Sequence, residues 1–174
     1  MKNQNNIIKL QHVTHPFEPV FNKNSLILIL GSFPSVKSRE ASFYYAHSGN
    51  RFWKLMATIT KADSLPTTVS NKKEMLLKNK IALWDVIKSC DINKSSDSSI
   101  KNVKTNDVSE LILKTKIKNI FINGSKAYNL YMKYCFGHVN IEVCKLPSTS
   151  AANATYSFDA LLREWSIIKD IICD

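Results

Sequence analysis

Hydrophobic positions fall into two kinds of pattern along the chain. Four short apolar runs, Leu26–Leu30, Ile81–Trp84, Ile117–Ile122 and Ile141–Leu146, read as strands. The first is apolar at odd and even positions alike, as a strand covered on both faces should be. Other segments carry apolar residues at helical spacing, and each stripe reads as a core face. One comprises Phe52, Leu55, Met56 and Ile59, and a second Val108, Leu111 and Ile112. A third has Ala127, Leu130, Tyr131 and Tyr134; the last runs through Phe158, Leu161, Leu162, Trp165, Ile168 and Ile172. Thr105 is expected to cap the second of these helices, with Asp107 in its first turn, and Ser157 to cap the last, with Asp159 just inside. The polar stretch Asp91–Ser99 reads as a loop after the second strand. Alternating strands and helices predict an α/β protein: a three-layer α/β/α arrangement around a central, mainly parallel four-stranded sheet. Ligands of such sheets sit beyond the carboxyl ends of the strands. The unusual segments of this sequence follow strands directly.

Size and charge narrow the picture. With 174 residues, 44% of them hydrophobic, the chain supports one domain over residues 1–174, with a short N-terminal extension over about 1–16. Twenty-four basic residues against 14 acidic give a formal charge of +10, with a pI near 9.5. That excess favours a polyanionic partner, since neutralised phosphates release condensed counterions. Basic residues gather at Lys72, Lys73, Lys78 and Lys80, and again at Lys101, Lys104, Lys114, Lys116 and Lys118. Solvated helix faces and loops account for these clusters equally well. The four cysteines, Cys90, Cys135, Cys144 and Cys173, are scattered without metal-ligand spacing, so no metal and no cofactor are expected. Met1–Leu10 lacks the apolar core of a signal peptide, and no apolar run approaches the roughly 18 residues of a membrane span. A reduced, cytoplasmic monomer with no membrane association is expected.

The chemistry concentrates after the strands. The first is followed by Gly31-Ser32-Phe33-Pro34-Ser35, a turn whose N–H groups can face a ligand, then by Phe43-Tyr44-Tyr45-Ala46-His47-Ser48-Gly49-Asn50-Arg51-Phe52-Trp53. Aromatic faces beside exposed amides suit a flat heterocycle, although Phe43, Tyr44 and Tyr45 equally suit packing under a loop. Asn50 stands where it can cap a helix starting at Arg51, a role compatible with chemistry. Asp85 ends the second strand, Asn123 and Lys126 follow the third, and Ser148-Thr149-Ser150 follows the fourth.

The turn after the first strand, the aromatic stretch and Ala46-His47-x-x-Asn50-Arg51-Phe52-Trp53 together resemble the first motif of mismatch-specific uracil-DNA glycosylases. Further segments resemble the hypoxanthine-DNA glycosylase branch of that superfamily. They are Ala82-Leu83-Trp84-Asp85-Val86-Ile87, Asp97-Ser98-Ser99-Ile100-Lys101-Asn102-Val103, Phe121-Ile122-Asn123-Gly124-Ser125-Lys126-Ala127-Tyr128 and Leu146 to Ala154. The resemblance covers about residues 17–165. It implies a uracil-DNA-glycosylase-like fold and a monofunctional enzyme of base excision repair. Such an enzyme flips a deaminated base, hypoxanthine above all, out of double-stranded DNA and hydrolyses its glycosidic bond.

Departures from the uracil enzymes sharpen this. Phe33 stands where they carry Asn or Asp in the first turn, and Leu146 where they place a histidine. Ala151 replaces a proline of the branch, and Ser150 replaces their bulky wedge residue. The resemblance makes Asn50 the catalytic residue. Base contacts are expected from Ser32, Phe33, Pro34, Tyr44, Tyr45 and Asp85. The hydroxyls and N–H groups of Ser148, Thr149 and Ser150 suit a DNA phosphate, and the resemblance implies that the same loop presses into the duplex. Asn123 and Lys126 are further candidates for DNA contact, with a plain turn and a solvated lysine as their other readings. Asp85 can accept from hypoxanthine N1–H, where adenine presents a lone pair; capping a local turn is its other reading. The competing functions are a uracil or thymine mismatch glycosylase, a non-catalytic nucleic-acid-binding module, and a small-nucleotide enzyme using the same crevice.

Overall fold

The structure, a computed structural model, describes residues 10–93 and 99–172. Its elements in chain order begin with β1 (Gln11–Thr14), β2 (Ile27–Gly31), α1 (Val36–Glu40), α2 (Phe52–Ile59) and α3 (Val69–Lys78). Then come β3 (Ile81–Asp85), β4 (Ile87–Ile92), β5 (Lys101–Thr105) and α4 (Val108–Leu113). The chain continues through β6 (Asn119–Asn123), α5 (Ser125–Tyr134), β7 (Glu142–Leu146), α6 (Phe158–Trp165) and α7 (Ile167–Ile172).

The four expected strands form one parallel sheet in the order β3-β2-β6-β7. Every residue of central β2 is buried. Ile27 and Ile29 pack with Leu55, Met56, Leu76, Leu161 and Trp165, while Leu28 and Leu30 pack with Leu111, Ala127, Leu130 and Tyr131. Period-two alternation in β2 thus supplies both faces of a three-layer core. Removing one such side chain, as in Leu28→Ala, would cost about 2–5 kcal/mol.

A second sheet was not expected. Strands β1, β4 and β5 pair antiparallel in the order β1-β4-β5, and Ile87, Cys90 and Ile92 of β4 join the second core cluster. The loop expected at Asp91–Ser99 therefore opens as the end of β4, and Asp97 and Ser98 lie outside the described residues. The extension placed over about 1–16 likewise contributes β1 to the fold. Polar, largely exposed β1 and β5 carry no apolar alternation, and their pairing with β4 is non-local. Helices α1 and α3 also went unread, since α3 buries only Met75 and Leu76. The caps divide. Ser157 Oγ accepts from Ala160 N–H as expected, but Asp107, not Thr105, caps α4, because Thr105 is still paired with Ile87 in β5. The last stripe is broken at Ser166 into α6 and α7.

The sheet order sets the location of the site. Strands β2 and β6 are neighbours, yet the chain leaves β2 for α2 and α3 on one face and leaves β6 for α5 on the other. A crevice opens beyond the carboxyl ends where neighbouring connections diverge in this way.

Candidate active site

The crevice is a cavity of about 1000 Å³ beyond the ends of β2, β3, β6 and β7. Its lining includes Asn50 together with Ser32, Phe33, Pro34, Tyr44, Tyr45, Asp85, Asn123, Lys126, Ser148, Thr149 and Ser150. The residues named for catalysis, base contact and DNA contact thus meet at one place, although the polar groups of some are turned inward.

The floor is built at the ends of β2 and β3. Gly31 pairs with Asp85 across the sheet, and its carbonyl accepts from Val86 N–H at 2.9 Å. Ile87 N–H donates to Ser32 O at 3.1 Å, which pins the start of the turn. A Cβ at Gly31 would collide with the Asp85 carboxylate, so glycine is required there by space. Asp85 is buried and shares a hydrogen bond with His15, Nε2 to Oδ2, at 2.9 Å. His15 sits edge-on to Phe17 and Phe33, and its Nδ1 is buried without a partner. Asp85 is no turn cap: its carboxylate belongs to the cavity floor.

Two tyrosines close the wall. Tyr44 is almost fully buried, donates its hydroxyl to Glu18 O at 3.1 Å and meets the Phe17 ring edge-on. Tyr45 has positive φ, 52°, and stacks on Phe52 at 4.1 Å between ring centres. A bulky residue in the left-handed region is strained, and such strain collects at functional sites. Burial raises both phenols above the usual tyrosine range, and the nearby Asp85 charge adds to the shift, so both stay protonated. Phe43 follows the packing reading, buried and stacked on Trp53.

Asn50 precedes α2, whose first residue is Phe52 rather than Arg51. Its Oδ1 accepts from Phe52 N–H at 3.0 Å and from the Thr149 hydroxyl at 3.0 Å. Thr149 is fully buried; its N–H donates to Asn123 Oδ1 and its hydroxyl oxygen accepts from Asn123 Nδ2, each at 3.0 Å. The Thr149 and Asn123 side chains thus bond each other, and Thr149 bonds Asn50, which fits the plain-turn reading of Asn123.

Arg51 was not singled out from the sequence, and it organises the opposite rim. Its guanidinium donates to Ser150 O at 2.7 Å, Asn153 O at 2.9 Å, Thr149 O at 3.4 Å and Tyr156 O. One cation thus holds four carbonyls of a loop that otherwise has no regular structure. Gly124, at φ 92°, lets that loop approach, since a Cβ there would lie 2.9 Å from Ser148 Cβ. The tip at Ala151 and Ala152 is exposed, as are His47, Ser48 and Gly49 facing it. Lys126 is half-buried at the wall, and Lys145 is exposed at the rim.

His15 was likewise missed, because nothing local in Thr14-His15-Pro16-Phe17 reveals a partner in β3. Leu146, buried at the end of β7, offers no proton to a leaving group. Among the described residues no group of three His, Cys, Asp or Glu could hold a metal, and the expected Cys173 lies outside them. No helix among them is long and apolar enough to cross a membrane.

With this geometry the comparisons agree. The sequence model of the uracil DNA glycosylase superfamily matches residues 18–170. The chain belongs to that superfamily and is a DNA glycosylase. A hypoxanthine DNA glycosylase of Methanosarcina acetivorans is 37% identical over 142 residues, 81% of this chain and 89% of that protein. One from Methanosarcina barkeri is 38% identical over 112 residues, 64% and 71% of the respective chains. A solution NMR structure of a candidate uracil DNA glycosylase from M. acetivorans superposes with a TM-score of 0.80 at 33% identity. It covers 94% of this chain and all of that one. That structure shares the fold of this chain, and in this glycosylase the unusual segments converge on the crevice beyond the strand ends.

Proposed function

We propose that this DNA glycosylase removes hypoxanthine from double-stranded DNA, hydrolysing the N-glycosidic bond and leaving the strand uncut. The observation that carries this reading is Asp85: a carboxylate on the cavity floor with one oxygen held by His15. The other oxygen can accept from N1–H of hypoxanthine. Adenine offers a lone pair at that position and is repelled. The two curated relatives above carry the name of the same activity.

In this reading the base leaves the stack, passes the His47–Gly49 and Ala151–Ala152 rims and lies between the Ser32–Ser35 turn and the Tyr44–Tyr45 wall. Turn amides and the Asn50 side chain then stabilise charge as the bond to the sugar lengthens. Ser148, Ser150, Lys126 and Lys145 meet the backbone around the lesion. Release without strand cleavage is expected because a water-using mechanism needs no Schiff-base lysine. The enzyme works as a cytoplasmic monomer.

Duplexes carrying hypoxanthine, uracil, xanthine or a G·T mismatch test this when incubated with the enzyme and then cleaved chemically at abasic sites. Scission is expected first and fastest at hypoxanthine. Faster release of uracil or thymine would replace this reading with the mismatch one, and release of no base with the binding-module one.

A further inference from the structure

The hydrogen bonds around Thr149 determine which end of the Asn50 amide enters the cavity. A backbone N–H can only donate, so the Asn123 atom facing Thr149 N–H at 3.0 Å is Oδ1. The other end of that amide, Nδ2, then donates to Thr149 Oγ1 at 3.0 Å. With its oxygen already accepting, the threonine hydroxyl turns its single proton to Asn50, 3.0 Å away. Phe52 N–H, a second obligate donor, points to the same Asn50 atom at 3.0 Å. Two backbone N–H groups at the two ends therefore orient both amides with no freedom to flip. Asn50 Oδ1 is filled, and Nδ2 is left as its cavity-facing end.

We propose that Thr149 and Asn123 are positioning residues that hold Asn50 as a hydrogen-bond donor to the departing base. This rests on the reading that Asn50 acts on a flipped base. The direction matters chemically. An N–H donated to a water draws electron density from its oxygen and accepts none of its protons, so it does not make that water a better nucleophile. An N–H donated to a ring nitrogen or carbonyl oxygen of the base strengthens as negative charge collects there. The relay stabilises the leaving group and leaves activation of water to other groups. Thr149 is fully buried, so bulk water does not compete for its hydroxyl.

Single-turnover excision and duplex affinity, measured together on matched variants, test the relay. Thr149→Val removes the hydroxyl at constant shape. Asn123→Asp still accepts from Thr149 N–H but draws the hydroxyl proton to itself and away from Asn50. Each is expected to slow excision about tenfold while duplex affinity stays within about twofold. Thr149→Ser keeps the proton and is expected to recover the rate to within about threefold. In an Asn50→Ala background, Thr149→Val should slow excision no further, because its effect runs through Asn50. Should Thr149→Val fail to fold, Asn123→Asp and its Asn50→Ala double variant carry the same test. Normal excision by a folded Thr149→Val or Asn123→Asp, or full additivity with Asn50→Ala, would overturn the relay. Asn50→Ala with a normal rate would instead remove the reading on which it rests.

Discussion

His15 Nε2 lies 2.9 Å from Asp85 Oδ2, with both side chains almost wholly withdrawn from water. The pair joins the segment after β1 to the end of β3 beneath the base pocket, so it serves folding and recognition together. His15→Ala leaves a buried carboxylate without this partner and should destabilise the protein by about 1.5–3 kcal/mol. Asp85→Asn keeps the shape but presents a mixed donor and acceptor. It should lower kcat/KM for hypoxanthine about 10- to 100-fold and narrow the preference over adenine. Urea denaturation of the first variant and competition kinetics of the second check these outcomes; unchanged base preference in Asp85→Asn would remove Asp85 from recognition.

The Arg51 clamp makes a sharper demand than charge. Lysine keeps the cation but cannot span four carbonyls with a planar fork. Arg51→Lys should cost about 1.5–3 kcal/mol and loosen the Ser148–Tyr156 loop, weakening binding to damaged duplex. Denaturation midpoints and duplex titrations measure both effects. Stability equal to that of the parent would mean that the loop holds itself.

Tyr44 and Tyr45 set an alkaline limit. Both phenols are raised from the ordinary value of 10.0, chiefly by burial, so the folded protein keeps protons that the unfolded chain loses. Their contribution to stability is complete below pH 10 and declines above it, by about 1.4 kcal/mol per pH unit for each tyrosine. Spectrophotometric titration of the six tyrosines should show Tyr44 and Tyr45 ionising only as the protein unfolds, with Tyr131, whose phenol burial also raises, ionising later than the rest. Reversible ionisation of all six in the folded state would contradict the burial.

Salt should weaken DNA binding steeply. Contact with about four to six phosphates predicts a slope of log K against log salt between roughly −4 and −5. A flat dependence would favour a small-nucleotide substrate.

How much of this was visible in the sequence depended on whether a signal was local. Strand β2 and helix α2 announced themselves, since a buried strand is apolar at both parities and Phe52, Leu55, Met56 and Ile59 keep helical spacing. The antiparallel sheet did not, because β1 and β5 expose most side chains and exist by pairing with distant β4. The same distinction ran through the site. Asn50 stands just before a readable helix and Asp85 ends a readable strand, so their convergence beyond the strand ends could be anticipated. His15 and Arg51 act through partners 70 and roughly 100 positions away, and a histidine or arginine in isolation states no partner. The mutual bonding of Thr149 and Asn123 was not legible in the sequence: polarity suggests contact with phosphate, and only the fold shows a threonine turned inward.

Asn50 remains the point on which the chemistry turns. Single-turnover release of hypoxanthine from a duplex, measured for Asn50→Ala and Asn50→Asp alongside their melting temperatures, addresses it directly. Aspartate can accept from Phe52 N–H and Thr149 as asparagine does, but its second oxygen points an acceptor, not a donor, at the base. Both variants should stay folded and both should lose about 10²-fold or more in rate, roughly 2.7 kcal/mol of barrier. A folded Asn50→Ala that releases hypoxanthine at a near-normal rate would contradict the account and leave the Ser32–Ser35 turn and Asp85 to carry the reaction.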